Sequence, residues 1–163
     1  MFDFNADEVF RMAMDIEENG RLFYEKAAQL IEDAQVKKIF GELASAEAEH
    51  YQFFASLRKK LPEAARKETI YDPQEDLHQY LTMMAGQHVF QKKKSVEQYL
   101  AQVRSAVDAI NLALGFEKDS IVFYLTMKGR TEAGSGRNQI DALVNEELIH
   151  HRRLSLELLR LMS

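Results

Sequence analysis

Apolar residues recur along this chain at the three-and-four spacing of an α-helix, in four long runs. The first is expected from about Ala6 to about Ile31, with Asn5 and Glu8 forming a capping box at its start. One face carries Ala13, Ile16, Gly20, Phe23, Ala27 and Leu30, with Glu17 and Tyr24 in the same stripe. Glu18 falls on the wet side with Arg11, Asp15, Arg21 and Glu25. The second run begins at the cap Asp33 and ends at Leu61, where Pro62 stops it. Its stripe is close to a strict heptad seam: Val36, Phe40, Leu43, Glu47, His50, Phe54, Leu57, Leu61. Glu47 and His50 stand where the seam calls for leucine. The short turn between these runs makes them antiparallel neighbours.

Residues 62–104 form a long connection. Asp72-Pro73 signals a helix start, followed by an amphipathic piece over about 74–84. After Gly86 comes a basic turn, then a second piece over about 96–104. A connection of this length can cross a bundle from one end to the other. Ser105 and Asp108 make another capping box, and the third run reaches about Lys128. Its stripe holds Ala106, Ala109, Ile110, Ala113, Phe116, Ser120, Phe123 and Met127, with Glu117 and Tyr124 embedded in it. Residues 131–136 read as a turn. The fourth run spans about Arg137 to Leu161, with Ile140, Leu143, Glu147, His150, Leu154, Leu158 and Leu161 on one face. Helix pairs 6–61 and 105–162, joined by the crossover 62–104, make one all-α domain over 1–163.

The two pairs repeat. Glu47-Ala48-Glu49-His50 is followed 100 residues later by Glu147-Leu148-Ile149-His150, and each copy has a glutamate 30 residues upstream, Glu17 or Glu117. Glu17 and Glu117 are each followed by a small residue, Gly20 or Ser120, and then by Phe-Tyr at 23–24 or 123–124.

Composition narrows the chemistry. Two prolines and seven glycines in 163 residues favour long helices. The net charge of −5 is interspersed, so no nucleic-acid footprint is expected, and Lys92-Lys93-Lys94 reads as a solvated helix end or turn. There is no cysteine, which excludes disulfides, thiolate nucleophiles and thiolate-bound metal. No apolar stretch is long enough to span a membrane, and Met1-Phe2-Asp3-Phe4 lacks the pattern of a secretion signal. A cytoplasmic location is the expectation.

Four glutamates on core stripes need compensation, because a buried carboxylate costs several kcal/mol even after relaxation. No lysine or arginine falls beside them on these stripes. Two divalent cations would supply the charge. Residues three apart on a helix project from one side, so Glu47 with His50, and Glu147 with His150, can reach a common centre. One glutamate from each of two helices and Glu-x-x-His from each of two others is the pattern established for ferritin-like di-iron proteins. A carboxylate-rich set with imidazole suits iron or manganese. A bundle with a buried polar network and no metal is the competing expectation.

The chain resembles the rubrerythrin branch of the ferritin-like superfamily through Glu17-Glu18-Asn19-Gly20-Arg21-Leu22-Phe23-Tyr24, Glu47-Ala48-Glu49-His50, Glu117-Lys118-Asp119-Ser120-Ile121-Val122-Phe123-Tyr124 and Glu147-Leu148-Ile149-His150. The resemblance implies a ferritin-like four-helix bundle and two iron ions, with manganese or a mixed pair as alternatives. It implies Glu17, Glu47 and His50 on one side of the centre and Glu117, Glu147 and His150 on the other. Glu47 and Glu147 are the natural bridges. The implied activity is reduction of hydrogen peroxide or oxygen; iron oxidation and handling, or a non-enzymatic metal-binding bundle, are the alternatives. A homodimer is plausible on the same ground. Two departures matter. Two-domain members carry a cysteine-ligated iron domain, so here an external electron-donor protein is implied. Leu114 stands where such members carry an extra glutamate, which leaves six ligands, as in bacterioferritin-type centres. Tyr24 and Tyr124 either orient a ligating carboxylate or are core tyrosines with any acceptor. His151 points away from the stripe, His78 and His88 have no partner at ligand spacing, and Met83-Met84 reads as packing.

Overall fold

The computed structural model describes residues 6–63, 79, 92–130 and 135–163. Asn5, the crossover piece at 74–84 apart from residue 79, His78, His88 and Met83-Met84 lie outside the described residues. Five helices are described: α1 (Ala6–Leu30), α2 (Ala34–Lys60), α3 (Lys92–Leu100), α4 (Ala106–Arg130) and α5 (Ser135–Met162). Among the described residues no helix is long and apolar enough to cross a membrane.

Local chemistry sets the helix ends. Asp33 accepts a hydrogen bond from the Val36 N–H at 3.0 Å, satisfying one of the free donors of the first α2 turn. Arg58, Lys59 and Lys60 fill the last turn of α2, where cations suit the helix dipole. At α4 the Asp108 N–H donates to Ser105 Oγ at 3.1 Å, and Asp108 in turn accepts from the Arg104 N–H at 3.0 Å. That cap also explains a difference from expectation. The second crossover piece, expected at 96–104, is helical over Lys92–Leu100, so the lysine run forms its first turn. Residues 101–103 instead close on themselves, with Ala101, Gln102 and Val103 N–H groups bonded to the Glu97, Tyr99 and Leu100 carbonyls. With the Arg104 N–H committed to the α4 cap, the helix cannot run on.

Helices α1 and α2 pack along their length, as do α4 and α5, while contacts between the two pairs are fewer. The core falls into two clusters. One gathers Phe23, Tyr24 and Ala27 of α1, Val36, Phe40 and Leu43 of α2, Ala109 and Ala113 of α4, and Leu154 of α5. The other gathers Ala13 and Ile16 of α1, Phe54 of α2, Phe123, Tyr124 and Met127 of α4, and Ile140 and Leu143 of α5. The order of these residues makes α1 parallel to α5, and α2 parallel to α4. The long connection must therefore return the chain along the bundle, about 37 Å for a 25-residue helix. At its end α3 lays Val96, Tyr99 and Leu100 on the first cluster.

The repeat is visible in space. Phe23 and Tyr24 lie in one cluster, and Phe123 and Tyr124 in the other; Ala13 and Ala113 are likewise exchanged. The pairs are thus related by an approximate two-fold axis running across the bundle. Among the described residues few polar ties join them at the surface: Arg160 of α5 reaches Asp33 at 2.8 Å, and Arg153 reaches Glu42. Between-pair cohesion therefore rests on the core. Phe23, fully buried and edge-on to Phe116 at 4.8 Å, is central to it. Replacing Phe23 by Ala should cost about 3–5 kcal/mol in chemical denaturation. Leu156→Ala, at a side chain 62% exposed, should change stability by no more than about 0.5 kcal/mol.

Candidate metal centre

Between the two apolar clusters lies a polar layer. Its members are Glu17 from α1, Glu47 and His50 from α2, Glu117 from α4, and Glu147 and His150 from α5. Glu17, Glu47, His50, Glu117 and Glu147 are buried, and His150 is half-buried. Each sits near mid-helix, so the backbone spends its own N–H and C=O groups on the helix and leaves the carboxylates to find partners elsewhere.

The six residues form two overlapping groups. Glu17, Glu47, His50 and Glu147 offer ligand atoms all within 4.8 Å of one another, and so do Glu47, Glu117, Glu147 and His150. The groups share Glu47 and Glu147. The other expected residues are placed as follows. His151 is half-buried and belongs to neither group. Tyr24 donates its hydroxyl to Glu117 Oε1, reaching from α1 to the opposite pair. Tyr124, its counterpart in the repeat, is fully buried against Phe54 at 5.4 Å, with a hydroxyl that has no hydrogen-bond partner. Glu146 escaped the sequence reading altogether. Its Oε2 lies 2.9 Å from His50 Nε2. Helical periodicity puts Glu146 on the solvent side, and it is indeed 55% exposed at the side chain, so only its distance to a residue on another helix exposes the contact.

The histidines face inward through Nδ1. His50 Nδ1 is 3.1 Å from Glu147, 3.4 Å from Glu17 and 3.7 Å from Glu47. His150 Nδ1 is 3.5 Å from both Glu117 and Glu147. The rings stack at 5.9 Å between centroids. Desolvation opposes their protonation, but the surrounding carboxylates outweigh it: Glu147, Glu17 and Glu47 raise His50 far above an ordinary histidine, and Glu117 and Glu147 raise His150 to about 10. Burial, then repulsion from Glu47, holds Glu17 well above the usual carboxylate range. Burial and the Glu147 charge push Glu117 up to about 8. Glu147 goes the other way. Burial and Glu47 push it up, yet Glu117, His150 and His50 together bring it below the ordinary value. Without a cation, burial and mutual repulsion thus favour proton retention in the layer.

A family model described as rubrerythrin matches residues 8–158. The chain belongs to the rubrerythrin family. A crystal structure from Thermotoga maritima, described as a candidate ferritin-like diiron-carboxylate protein, aligns with a TM-score of 0.66 at 21% identity, covering 100% of this chain and 99% of that one. That likeness carries the fold, a ferritin-like helix bundle. No curated protein matches the chain significantly.

The residues of this rubrerythrin-family layer fit a metal. Both oxygens of Glu17 and Glu147, Oε2 of Glu117, and Nδ1 of His50 and His150 are buried without a hydrogen-bond partner. Seven orphaned lone-pair atoms in one layer are costly in an apoprotein and are what cations would satisfy. Oxygen-rich donors with imidazole are the chemistry of iron and manganese.

Two outcomes follow for the metal-free protein. Glu117 and His150 have folded-state values above their unfolded ones, so the fold binds more protons than the unfolded chain. Stability should fall as pH rises, from about 4.5 to 8 through Glu117 and from about 6.5 to 10 through His150. Thermal melts across pH 5–10 measure this, and saturating manganese should flatten the slope, because it binds the deprotonated ligands. Tyr24→Phe should cost the metal-free fold about 1–3 kcal/mol by stranding Glu117, whereas Tyr124→Phe should be near neutral or stabilising. Equal losses in urea titrations of the two variants would contradict this asymmetry.

Proposed function

We propose that the protein is a di-iron redox protein that reduces hydrogen peroxide or oxygen with electrons from an external donor. The observation that carries this reading is the overlap of the two ligand groups at Glu47 and Glu147. Two carboxylates common to both groups are what a pair of adjacent ions needs, and four carboxylates balance the charge of two divalent cations. Bound iron would supply the electrons and the Lewis acidity.

The chain's own residues do the rest. Glu17 with His50, and Glu117 with His150, would hold one ion each, while Glu47 and Glu147 would span both. Tyr24 keeps Glu117 oriented through its hydroxyl. The clusters around Phe23 and Phe123 keep bulk water off the layer. A cavity of about 10 Å³, bordered by Gly20, Ser120, Glu47 and Glu117, lies against the carboxylates. That is space for about one water molecule beside the carboxylates. Gly20 borders it, and a Cβ there would stand in ordinary contact with the Glu47 side chain, 3.5 Å away.

The donor is proposed to be a separate protein, because the 163 residues hold no cysteine for a thiolate-bound iron of their own. The assembly is proposed to be a homodimer. Protein purified without chelator should carry about two metal equivalents per chain, as expected of this ligand pattern. In anaerobic stopped-flow, the diferrous protein should be oxidised by peroxide much faster than free ferrous ion. Rates no faster than those of the free ion would sink the reading.

A further inference from the structure

The two halves of the layer match in their ligands and differ in what stands behind them. His50 presents Nδ1 to the carboxylates, and its other nitrogen, Nε2, meets Glu146 Oε2 at 2.9 Å. Glu146 comes from α5, in the opposite helix pair. The repeat puts Ala46 at the corresponding place before Glu47. A methyl group accepts no hydrogen bond, so that position offers His150 no equivalent brace. His150 is also the more open of the two, 13% exposed at the side chain against 4% for His50.

We propose that Glu146 is a positioning residue that makes the two metal positions unequal. The position at Glu17 and His50 takes a divalent ion first and holds it tightly. The position at Glu117 and His150 holds the exchangeable ion. This rests on the reading of the layer as a dinuclear metal site.

The physical reason lies in the imidazole. A ring that ligates through Nδ1 must carry its proton on Nε2. A carboxylate accepting that proton selects the tautomer, fixes the ring plane and raises the basicity of Nδ1. Glu146 holds the Nε2 side of the His50 ring before any ion arrives, so that only the Nδ1 proton has to leave on binding, whereas His150 has no such brace and must settle its ring orientation as well. The tyrosines are unequal in the other sense, since Tyr24 braces Glu117 of the second position and the Tyr124 hydroxyl has no partner, but that brace acts on a carboxylate and leaves the His150 ring unsupported. The glutamate is supplied to one half alone. At limiting metal the chain would therefore hold a single ion beside His50.

Anaerobic calorimetric titration of the full chain with Mn²⁺ tests this without any turnover. Two steps are expected, separated by about 10–100-fold in affinity, the usual worth of a carboxylate behind a ligating histidine. Glu146→Ala should weaken the tight step by about that factor and merge it with the weak one. Glu146→Gln, which keeps an acceptor oxygen, should recover part of the loss. His150→Ala should delete the weak step and leave the tight one. Ala46→Glu should tighten the weak step. Circular dichroism of the metal-free variants checks that each is folded. Two indistinguishable steps in the parent, or an unchanged isotherm in Glu146→Ala, would overturn the inequality and leave the dinuclear site standing. No Mn²⁺ binding by the parent chain would overturn both.

Discussion

Four carboxylates share one buried layer, and their mutual repulsion is the constraint that the rest of the bundle answers. At about 4 Å two unit charges interact by roughly 4 kcal/mol at an effective dielectric near 20, and desolvation adds several kcal/mol per ion. Left alone, such a layer would oppose folding. The two imidazoles answer part of this. They sit where each touches carboxylates of more than one helix, and they hold protons far beyond the ordinary histidine range as a result. Tyr24 answers another part by donating a hydrogen bond from its hydroxyl to Glu117. Glu17 and Glu117 answer by keeping their own protons. Each of these devices is a substitute that two divalent ions would displace.

The architecture follows from where that layer has to be. Apolar clusters on both sides of it supply the burial that offsets its cost. Glu-x-x-His places two donors one turn apart on a single helix face, so two helices provide four of the six candidate ligands. The remaining two come from helices running the other way beside them. A chain made of two like hairpins can close such a site only if the second hairpin is turned over relative to the first. That turn requires the connection to travel the length of the bundle, which is why the longest link in the chain joins α2 to α4.

Much of this was legible in the sequence, for physical reasons. Glu47, His50, Glu147 and His150 stood out because they interrupt seams that otherwise demand leucine, and the repeat at 100 residues tied Glu17 and Glu117 to them. The cap at Asp33 and the stop at Pro62 follow local rules that need no tertiary contact. Other features were out of reach. Whether Tyr24 serves a carboxylate depends on a contact between residues 93 apart in sequence, and no periodicity encodes it. Glu146 lies on what the helical pattern marks as the wet face. Its role comes from the way α5 passes α2, so it is a property of packing rather than of pattern. The end of α3 falls short of 104, where the Arg104 amide hydrogen is claimed by the next helix, a competition that composition cannot rank.

The way the ligand groups straddle the two hairpins has a mechanical consequence. Each of the two ligand groups draws three residues from one hairpin and one from the other: Glu147 joins the group of α1 and α2, and Glu47 joins the group of α4 and α5. An ion in either group would thus be a rivet driven through the seam between the hairpins. Filling either group would tie the hairpins together through the layer itself, in addition to the two apolar clusters that both hairpins share.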